Sequence, residues 1–408
     1  MQLLQSVSTG LLLASSCLSS LAAARSVPAP KSIAARQSTE KIAPKVFIVS
    51  MFEPEAAIWW GIPEFNVLEH NITIPGASPL FPDVHCTADH NICQLVTGEA
   101  EINAAVTVSS IIFNPTFDLT NTYFLIAGIA GVNPELTTIC SVTLARYAVQ
   151  VALQYEIDIR EMPPNATTGY FPQGSEYPWQ YPGSIYGTEV FEVNDNLRQL
   201  AAAFASKATL ADSDAAKAYR AHYNTSSGIY AAGAAAPAVV QCDVATSDVY
   251  YSGNILGDTF ANTTKVLTNG TGNYCASAQE DNATLEAMVR AAKAKLVDFS
   301  RIIVMRTASD FDRPYPGESA RENLLYASTG AYEPSVQNIY NAGVKIVEGI
   351  ISEWNSTFAA GITPSNYIGD IFGTLGGTPD FGPYTSAAEA GVALKRRSMP
   401  RRRSLRGY

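Results

Sequence analysis

The stretch that decides the fold is RIIVMRTASDFDRP, residues Arg301 to Pro314. Its apolar residues Ile302 to Met305 form a short continuous run, which is typical of a strand buried on both faces of a parallel sheet. Arg306, Ser309 and Asp310 follow within the next five positions. Because ligands of α/β proteins commonly bind at the carboxyl edge of the sheet, the stretch predicts a buried strand that ends at a polar site.

A structural interpretation of the same polar residues remains open. In that interpretation the strand runs into a capped loop, where the carboxylate of Asp310 pairs with Arg306 or Arg313. The local pattern fits both interpretations, so the choice depends on what the rest of the chain brings to this edge of the sheet.

Strands alternate with helices along most of the chain. Lys45 to Phe52 predicts a first strand, and Glu53-Pro54-Glu55 predicts the start of a helix, since proline and acidic residues suit a first helical turn. Tyr123 to Ala127 predicts another strand, which leads into a glycine turn, GIAGVNP. This order predicts one α/β domain over residues 44–385, with a mixed, mostly parallel central sheet flanked by helices.

Two further segments carry specific expectations. Residues 155–187 are rich in aromatic residues and proline, which predicts a binding loop or a packed surface excursion. Tyr332 to Trp354 predicts a closing helix that is broken at Gly343 and Gly349.

The termini indicate a secretory route. Residues 1–24 carry no charged side chain, which predicts a secretory signal peptide or, alternatively, an uncleaved membrane anchor. Residues 25–43 are predicted to be a linker or propeptide, and residues 386–408 a basic disordered tail. We therefore expect a glycoprotein of the secretory pathway that is secreted, at the cell surface or vacuolar. Seven N-x-Ser/Thr sequons support this route, at Asn71, Asn165, Asn224, Asn262, Asn269, Asn282 and Asn355.

Five cysteines follow residue 24, and an oxidising compartment favours disulfides among them. We predict the pairs Cys86–Cys93 and Cys242–Cys275, with Cys140 as a small buried apolar residue. The segment HCTADHNIC offers an alternative, because its two histidines and two cysteines suit zinc. Neither a metal nor a cofactor is part of the favoured interpretation.

Charge and hydropathy exclude two classes of protein. The formal net charge of -10 argues against nucleic acid as a partner, because neutralising phosphates requires a basic face. After residue 24, no window reaches the roughly 18 apolar residues that a membrane span needs. The sequence therefore does not predict a multi-spanning carrier.

The order of several segments resembles the fungal and bacterial purine nucleoside permease family over roughly residues 43–385. These segments are KVFIVSMFEPEA, TGEAEINAA, YFLIAGIAGVNPE, LQYEIDIRE, TGYFP, YGTEVFEVNDNL and MRTASDFDRP. That family is in turn similar to the nucleoside phosphorylase and methylthioadenosine nucleosidase superfamily, whose fold is a single α/β domain with a mixed central sheet.

The resemblance implies roles for individual residues. Asp310 would donate a proton to N7 of a purine, with Ser309 beside it and Arg306 orienting its carboxyl group. Glu55 would activate the attacking water, and Glu280 would bind the ribose hydroxyls. The other candidates for substrate binding are the glycine turn and two aromatic residues of the TGYFP segment, namely Gly128, Ala130, Gly131, Tyr170 and Phe171.

Cleavage of an N-ribosidic bond suits two carboxyl groups. Positive charge develops on the sugar and negative charge on the base, so the reaction needs a proton donor at the base and a carboxylate or water opposite. We expect a buried Asp310 to be held protonated while Glu55 stays ionised. The turns SMFEPEA and TGEAEINAA contain no Arg or Lys to hold phosphate, which favours hydrolysis over phosphorolysis.

Two alternatives to an enzyme stay open. In the first alternative, the chain is a nucleoside-binding protein that takes part in purine nucleoside transport without catalysis, and it then needs a membrane partner. In the second alternative, the chain is a structural or storage glycoprotein that retains the fold. A purine nucleoside is the expected ligand of the first two hypotheses, and the sequence leaves open whether the chain forms a homo-oligomer.

Overall fold

The computed structural model describes residues 40–381. The predicted signal peptide, the predicted tail and most of the predicted linker lie outside these residues. Ile42, two residues before the expected start of the domain, already pairs with Phe117.

Strands and helices alternate along the described residues. The strands are β1 (Val46–Ser50), β2 (His70–Thr73), β3 (Asp83–Cys86), β4 (Ile92–Val96), β5 (Tyr123–Val132), β6 (Val142–Ala145), β7 (Tyr147–Gln150), β8 (Gln154–Glu156), β9 (Tyr170–Pro172), β10 (Val190–Glu192), β11 (Val239–Gln241), β12 (Asp243–Thr246), β13 (Tyr274–Ala278), β14 (Ile302–Phe311) and β15 (Gly369–Asp370). The α-helices are α1 (Glu53–Ala57), α2 (Ala100–Ile112), α3 (Asp195–Ala205), α4 (Asp214–Arg220), α5 (Asn254–Leu267), α6 (Asp281–Lys293), α7 (Ala320–Leu325) and α8 (Tyr332–Ser352). Between residues 40 and 381, none of these helices has the length and apolarity to cross a bilayer.

One mixed sheet contains every strand except the hairpin of β8 and β9. Its centre is parallel, because β1 lies between β4 and β5, and β5 also pairs in parallel with β14. A second parallel group of β7, β12 and β13 joins this centre through an antiparallel pairing of β13 with β5. The prediction of one α/β domain with a mixed central sheet flanked by helices is confirmed.

Helices cover both faces of the sheet. On one face, Phe47 and Val49 of β1 belong to a core cluster that includes side chains of α2 and α6. On the other face, Val46 and Ile48 belong to a cluster with side chains of α3 and α8. Successive residues of a strand point to opposite faces, so a strand buried on both sides must be apolar at every position.

The strands β5 and β14 are longer than the sequence indicated. Each has ten residues, and they pair in parallel from Ile302 opposite Phe124 to Phe311 opposite Val132. The expected glycine turn after Ala127 is therefore wrong, because the glycines continue β5. The expected polar loop after Met305 is wrong for the same reason, since its residues continue β14.

The closing helix α8 is also continuous, so the expected breaks at Gly343 and Gly349 are wrong. A Cβ atom would lie 2.7 Å from the ring of Trp59 at the first glycine and 2.7 Å from the ring of Phe204 at the second. These glycines allow two aromatic rings to pack against the helix, and both keep helical backbone angles.

Both predicted disulfides are present, Cys86–Cys93 and Cys242–Cys275, and Cys140 is a buried free cysteine. The alternative of a zinc site in HCTADHNIC is wrong, because its two thiols are joined to each other.

The sequon at Asn282 differs from the other six in burial. Asn282 is 2% exposed at the start of α6, where its Nδ2 donates a hydrogen bond of 2.8 Å to the carbonyl oxygen of Thr188. The other six sequon asparagines are exposed.

We expect Asn282 to stay unmodified in protein secreted from a eukaryotic host, because a glycan on its Nδ2 does not fit a closed interior. Glycopeptide mass spectrometry of the folded protein checks this, with the exposed Asn269 as the matched site. A glycan on Asn282 in correctly folded protein would contradict the burial described above.

Candidate functional site

A bulge in β14 creates the polar site. The pairing of β14 with β5 shifts between Ala308 and Asp310, so that Asp310 lies opposite Gly131 and Ser309 is the extra residue. Bulges re-aim side chains and are common beside active sites. Here the bulge turns the side chains of Ser309 and Asp310 towards one pocket.

The pocket lies where the ends of several strands meet the loops that follow them. Its lining comes from the β1–α1 turn and α1, the residue before α2, the end of β5, the loop after β12, the segment from the end of β13 to α6, and the second half of β14 with the residues just after it. These residues are Met51, Phe52, Glu55, Glu99, Ile129, Ala130, Gly131, Ser247, Val249, Tyr250, Tyr251, Ser277, Ala278, Gln279, Glu280, Arg306, Ser309, Asp310 and Asp312. Seven of the predicted site residues are among them, and Gly128 lies directly beneath Glu55.

Glu55 is held at the bottom of the pocket by two backbone amides. Its Oε2 accepts a hydrogen bond from the amide of Met51, and its Oε1 accepts one from the amide of Ile129, both at 2.7 Å. Gly128 makes room for the carboxyl group, because a Cβ atom there would lie 2.5 Å from Oε1. Burial raises the pKa of Glu55 to about 8, although Arg306 and the two amides act in the opposite direction.

Arg306 is the centre of a buried ion cluster. Its Nε and Nη2 donate to the two carboxylate oxygens of Asp281 at 3.2 and 2.9 Å, and Nη2 also donates to Oε2 of Glu280 at 3.1 Å. Its Nη1 donates to the carbonyl oxygen of Ile129 at 3.3 Å. The expectation that Arg306 orients Asp310 is therefore wrong, and so is the alternative of an Asp310–Arg306 ion pair.

Glu280 connects this cluster to a second helix. Its Oε1 accepts a hydrogen bond of 3.0 Å from the amide of Ala100, the first residue of α2. With Oε2 on Arg306, both carboxylate oxygens have partners on different elements. Burial raises the pKa of Glu280, although Arg306 and the amide of Ala100 lower it.

Asp310 is held by Tyr250 instead of by an arginine. The hydroxyl of Tyr250 donates a hydrogen bond to Oδ2 of Asp310. A Cβ atom on Gly131 would lie 2.6 Å from Oδ1, so this glycine makes room for the carboxyl group. Burial raises the pKa of Asp310 to about 6, and the hydrogen bond from Tyr250 limits that rise.

The alternative of an ion pair between Asp310 and Arg313 is also wrong, because Arg313 pairs with Asp312, Asp258 and Glu135.

The protonation states of the two carboxyl groups differ from the prediction. At pH 7 a carboxyl group with a pKa of about 8 is mostly protonated and one with a pKa of about 6 is mostly ionised, so the order for Glu55 and Asp310 is the reverse of the prediction. Burial is the main cause for both groups, and Glu55, which is 2% exposed, lies deeper than the half-buried Asp310. The nearby Glu280 also favours the protonated form of Glu55.

Tyr170 and Phe171 are not among the residues that line this pocket, so its geometry does not support their predicted role in binding. Tyr170 packs against Phe260 with the ring centroids 5.2 Å apart, inside a separate core cluster. Both residues lie in β9, which pairs with β8 in a separate two-stranded sheet. The aromatic residues that do line the pocket are Phe52, Tyr250 and Tyr251, and the two tyrosines lie in a polar loop that the sequence did not mark as part of a site.

We expect Arg306→Met to lower the free energy of unfolding by about 3–5 kcal/mol, because it leaves Glu280 and Asp281 buried without a cation. Urea unfolding at pH 7 measures this. The matched control is Arg290→Met, whose ion pair with Glu286 lies on the surface and contributes less than about 1 kcal/mol. Equal decreases in the free energy of unfolding for the two variants would show that the buried ion cluster stabilises the fold no more than a surface ion pair does.

Comparison with known proteins adds a family. A sequence model described as "Purine nucleoside permease (NUP)" matches residues 43–363. A purine nucleoside permease of Candida albicans is 49% identical over 345 residues, which cover 83% of each chain. A probable purine nucleoside permease of Schizosaccharomyces pombe is 38% identical over 337 residues, which cover 81% of this chain and 94% of that one.

Solved structures with some likeness to this chain are more distant. A 5'-methylthioadenosine/S-adenosylhomocysteine nucleosidase of Neisseria meningitidis gives a TM-score of 0.44 at 14% identity and covers 76% of this chain and 99% of its own. Futalosine hydrolase of Helicobacter pylori gives 0.44 at 15% identity, covering 75% and 98%. The sequence matches, which extend over most of the described residues and include every strand and helix of the pocket, show that this chain belongs to the purine nucleoside permease family.

Proposed function

We propose that the pocket binds a purine nucleoside and cleaves its N-ribosidic bond by hydrolysis. The observation that carries this proposal is the presence of two carboxyl groups, the buried Glu55 and the half-buried Asp310, in one pocket. They lie against Gly128 and Gly131 of the same strand, three residues apart, which corresponds to about 10 Å along a strand. In the proposed arrangement the sugar–base linkage lies between them.

The proposed roles follow from the charge that develops in the reaction. Asp310 protonates the base as it leaves, and Glu55 accepts a proton from the attacking water. Glu280, whose carboxylate is fixed by Arg306 and the amide of Ala100, accepts hydrogen bonds from the ribose hydroxyls. Fixed partners keep these groups oriented before substrate arrives, so the reaction requires little reorganisation.

The charge of the pocket supports water as the nucleophile. Among the lining residues, the side chains of Glu55, Glu99, Glu280, Asp310 and Asp312 are acidic. Arg306 is the one Lys or Arg side chain among them, and four of its five N–H groups already donate to Asp281, Glu280 and the backbone. Phosphate is held best by several free cationic donors together, which these lining residues do not offer.

The family supports a purine nucleoside as the ligand. Relatives at 49% and 38% identity are called purine nucleoside permeases, and both match over most of the chain.

We also propose that the protein enters the secretory pathway, a proposal supported by its two disulfides and by the exposed sequons.

We expect the purified protein to release free base from inosine, adenosine or guanosine without phosphate, at a rate that added phosphate does not change. Chromatography of the released base measures this. Asp310→Asn should lower the rate by about 10²–10⁴-fold, since it removes the proton donor. The control Asp214→Asn, on an exposed helix start, should have no effect. Release that depends on phosphate would replace hydrolysis by phosphorolysis, and no release in either condition would reject the enzyme.

We expect kcat/KM for hydrolysis to have a bell-shaped pH profile with limbs near pH 6 and pH 8. Glu55 must lose its proton, so its reactive fraction falls as the pH drops below about 8. Asp310 must keep its proton, so its reactive fraction falls as the pH rises above about 6. The two changes offset each other in between, so the rate falls below about pH 6 and above about pH 8. At pH 7 only about 1% of molecules hold both groups in the reactive forms, and this fraction is the maximum. Initial rates from pH 5 to 9 check the profile, which a flat response would contradict.

A second candidate follows from the relatives' name, namely nucleoside binding that assists transport without cleavage. Uptake of labelled nucleoside by cells that express this chain separates the two functions. If Asp310→Asn abolishes base release in the test tube but leaves uptake unchanged, transport is independent of the chemistry. If uptake disappears with base release, cleavage is the activity that the cells use.

A further inference from the structure

Tyr250 combines an exposed ring with a hydrogen-bond partner inside the pocket. Its side chain is 62% exposed, yet its hydroxyl donates a hydrogen bond to Asp310 inside the pocket. An exposed ring has little apolar packing to hold it in one rotamer. The contact with Asp310 is therefore the main restraint on the position of this side chain.

The backbone on either side of Tyr250 is fixed. Oδ1 of Asp248 accepts a hydrogen bond of 2.9 Å from the amide of Glu101, and its carbonyl oxygen accepts one of 3.2 Å from Gln279. Tyr251 is buried, and its hydroxyl lies 2.7 Å from that of Tyr274. Because Asp248 and Tyr251 are anchored on either side, the side chain of Tyr250 can turn while the loop keeps its place.

The hydroxyl of Tyr250 is hydrogen-bonded to Oδ2 of Asp310, the oxygen that an incoming base binds in this scheme. Oδ1 lies against Gly131, where a Cβ atom would come within 2.6 Å of it and also within 2.6 Å of Oγ of Ser277. Oδ2 is the oxygen that Tyr250 binds. A nitrogen of a base that shares a proton with Asp310 at Oδ2 must take the place of the tyrosine hydroxyl.

We propose that Tyr250 gates the pocket, with its hydroxyl holding Asp310 when the pocket is empty and giving up Oδ2 to the incoming purine. This inference rests on the proposed function. Tyr250 is a positioning residue in this scheme, since it acts on the base only through Asp310. When it leaves, the ionised form of Asp310 loses a donor, and the carboxyl group takes up a proton more readily just as the base arrives.

Other charged groups also line the pocket around Asp310. Asp312 follows on the same segment as Asp310 and also favours its protonated form. Glu55, Glu99, Glu280 and Arg306 line the same pocket from α1, the start of α2, the start of α6 and β14. These groups are common to wild-type protein and a Tyr250 variant. A difference in base binding or in the titration of Asp310 between the two proteins therefore measures the effect of the hydroxyl.

The test compares wild-type protein with Tyr250→Phe, which keeps the ring and removes the hydroxyl. The control is Tyr186→Phe, because Tyr186 is 61% exposed and is not among the residues that line the pocket. Calorimetry with hypoxanthine or adenine measures affinity for the base. Carbon-13 labelling of aspartate, with Asp310→Asn to assign the signal, follows the titration of Asp310 without any ligand.

We expect Tyr250→Phe to bind the base about tenfold more tightly, because no hydroxyl has to be displaced. We also expect Asp310 to titrate at a higher pH in the empty variant, whereas Tyr186→Phe matches wild type in both measurements. Weaker or unchanged base binding in Tyr250→Phe overturns the gate, and so does an unchanged titration of Asp310. If wild-type protein binds no purine base, the proposed function fails and the gate fails with it. If wild type binds and the variant binds no tighter, the gate alone fails.

Discussion

The buried guanidinium of Arg306 is the interaction on which the site depends. It lies in the middle of β14, opposite Gly128 of β5, and is neutralised by Glu280 and Asp281 at the start of α6. A buried charge without a partner is strongly unfavourable, so the strand and the helix start must keep their relative positions. Because Glu280 also binds the amide of Ala100, the same cluster fixes the start of α2. Sheet, helices and pocket are thus joined through one cation.

Much of the fold can be predicted from the apolar runs. A strand covered on both faces needs an apolar residue at each position, and that pattern is visible in β1 and in the first half of β14. The glycines at 128 and 131 were misleading for a physical reason. A sequence does not distinguish a glycine that forms a turn from a glycine that makes room for a neighbouring carboxyl group. In this fold both glycines clear space, one for Glu55 and the other for Asp310, and the strand continues through them.

The site was predictable where its residues are close in sequence to a recognisable motif. Glu55, Ser309 and Asp310 line the pocket as the resemblance implied. The partners of these residues were not predictable, because they come from distant segments. Asp281, which neutralises Arg306, and Tyr250, which holds Asp310, stand in stretches whose polarity suggests solvent. The protonation order of the two acids likewise depends on depth in the fold, which local sequence does not encode.

The disulfide Cys242–Cys275 has a consequence for the rim of the pocket. One cysteine immediately precedes β12 and the other lies near the start of β13, while the far ends of these two strands carry the loop of Tyr250 and the segment of Glu280. The crosslink closes a loop of 33 residues, and the restriction of the unfolded chain corresponds to about 4 kcal/mol in a chain-entropy description. Two walls of the pocket are therefore covalently aligned, and the redox potential of the compartment determines whether that alignment persists.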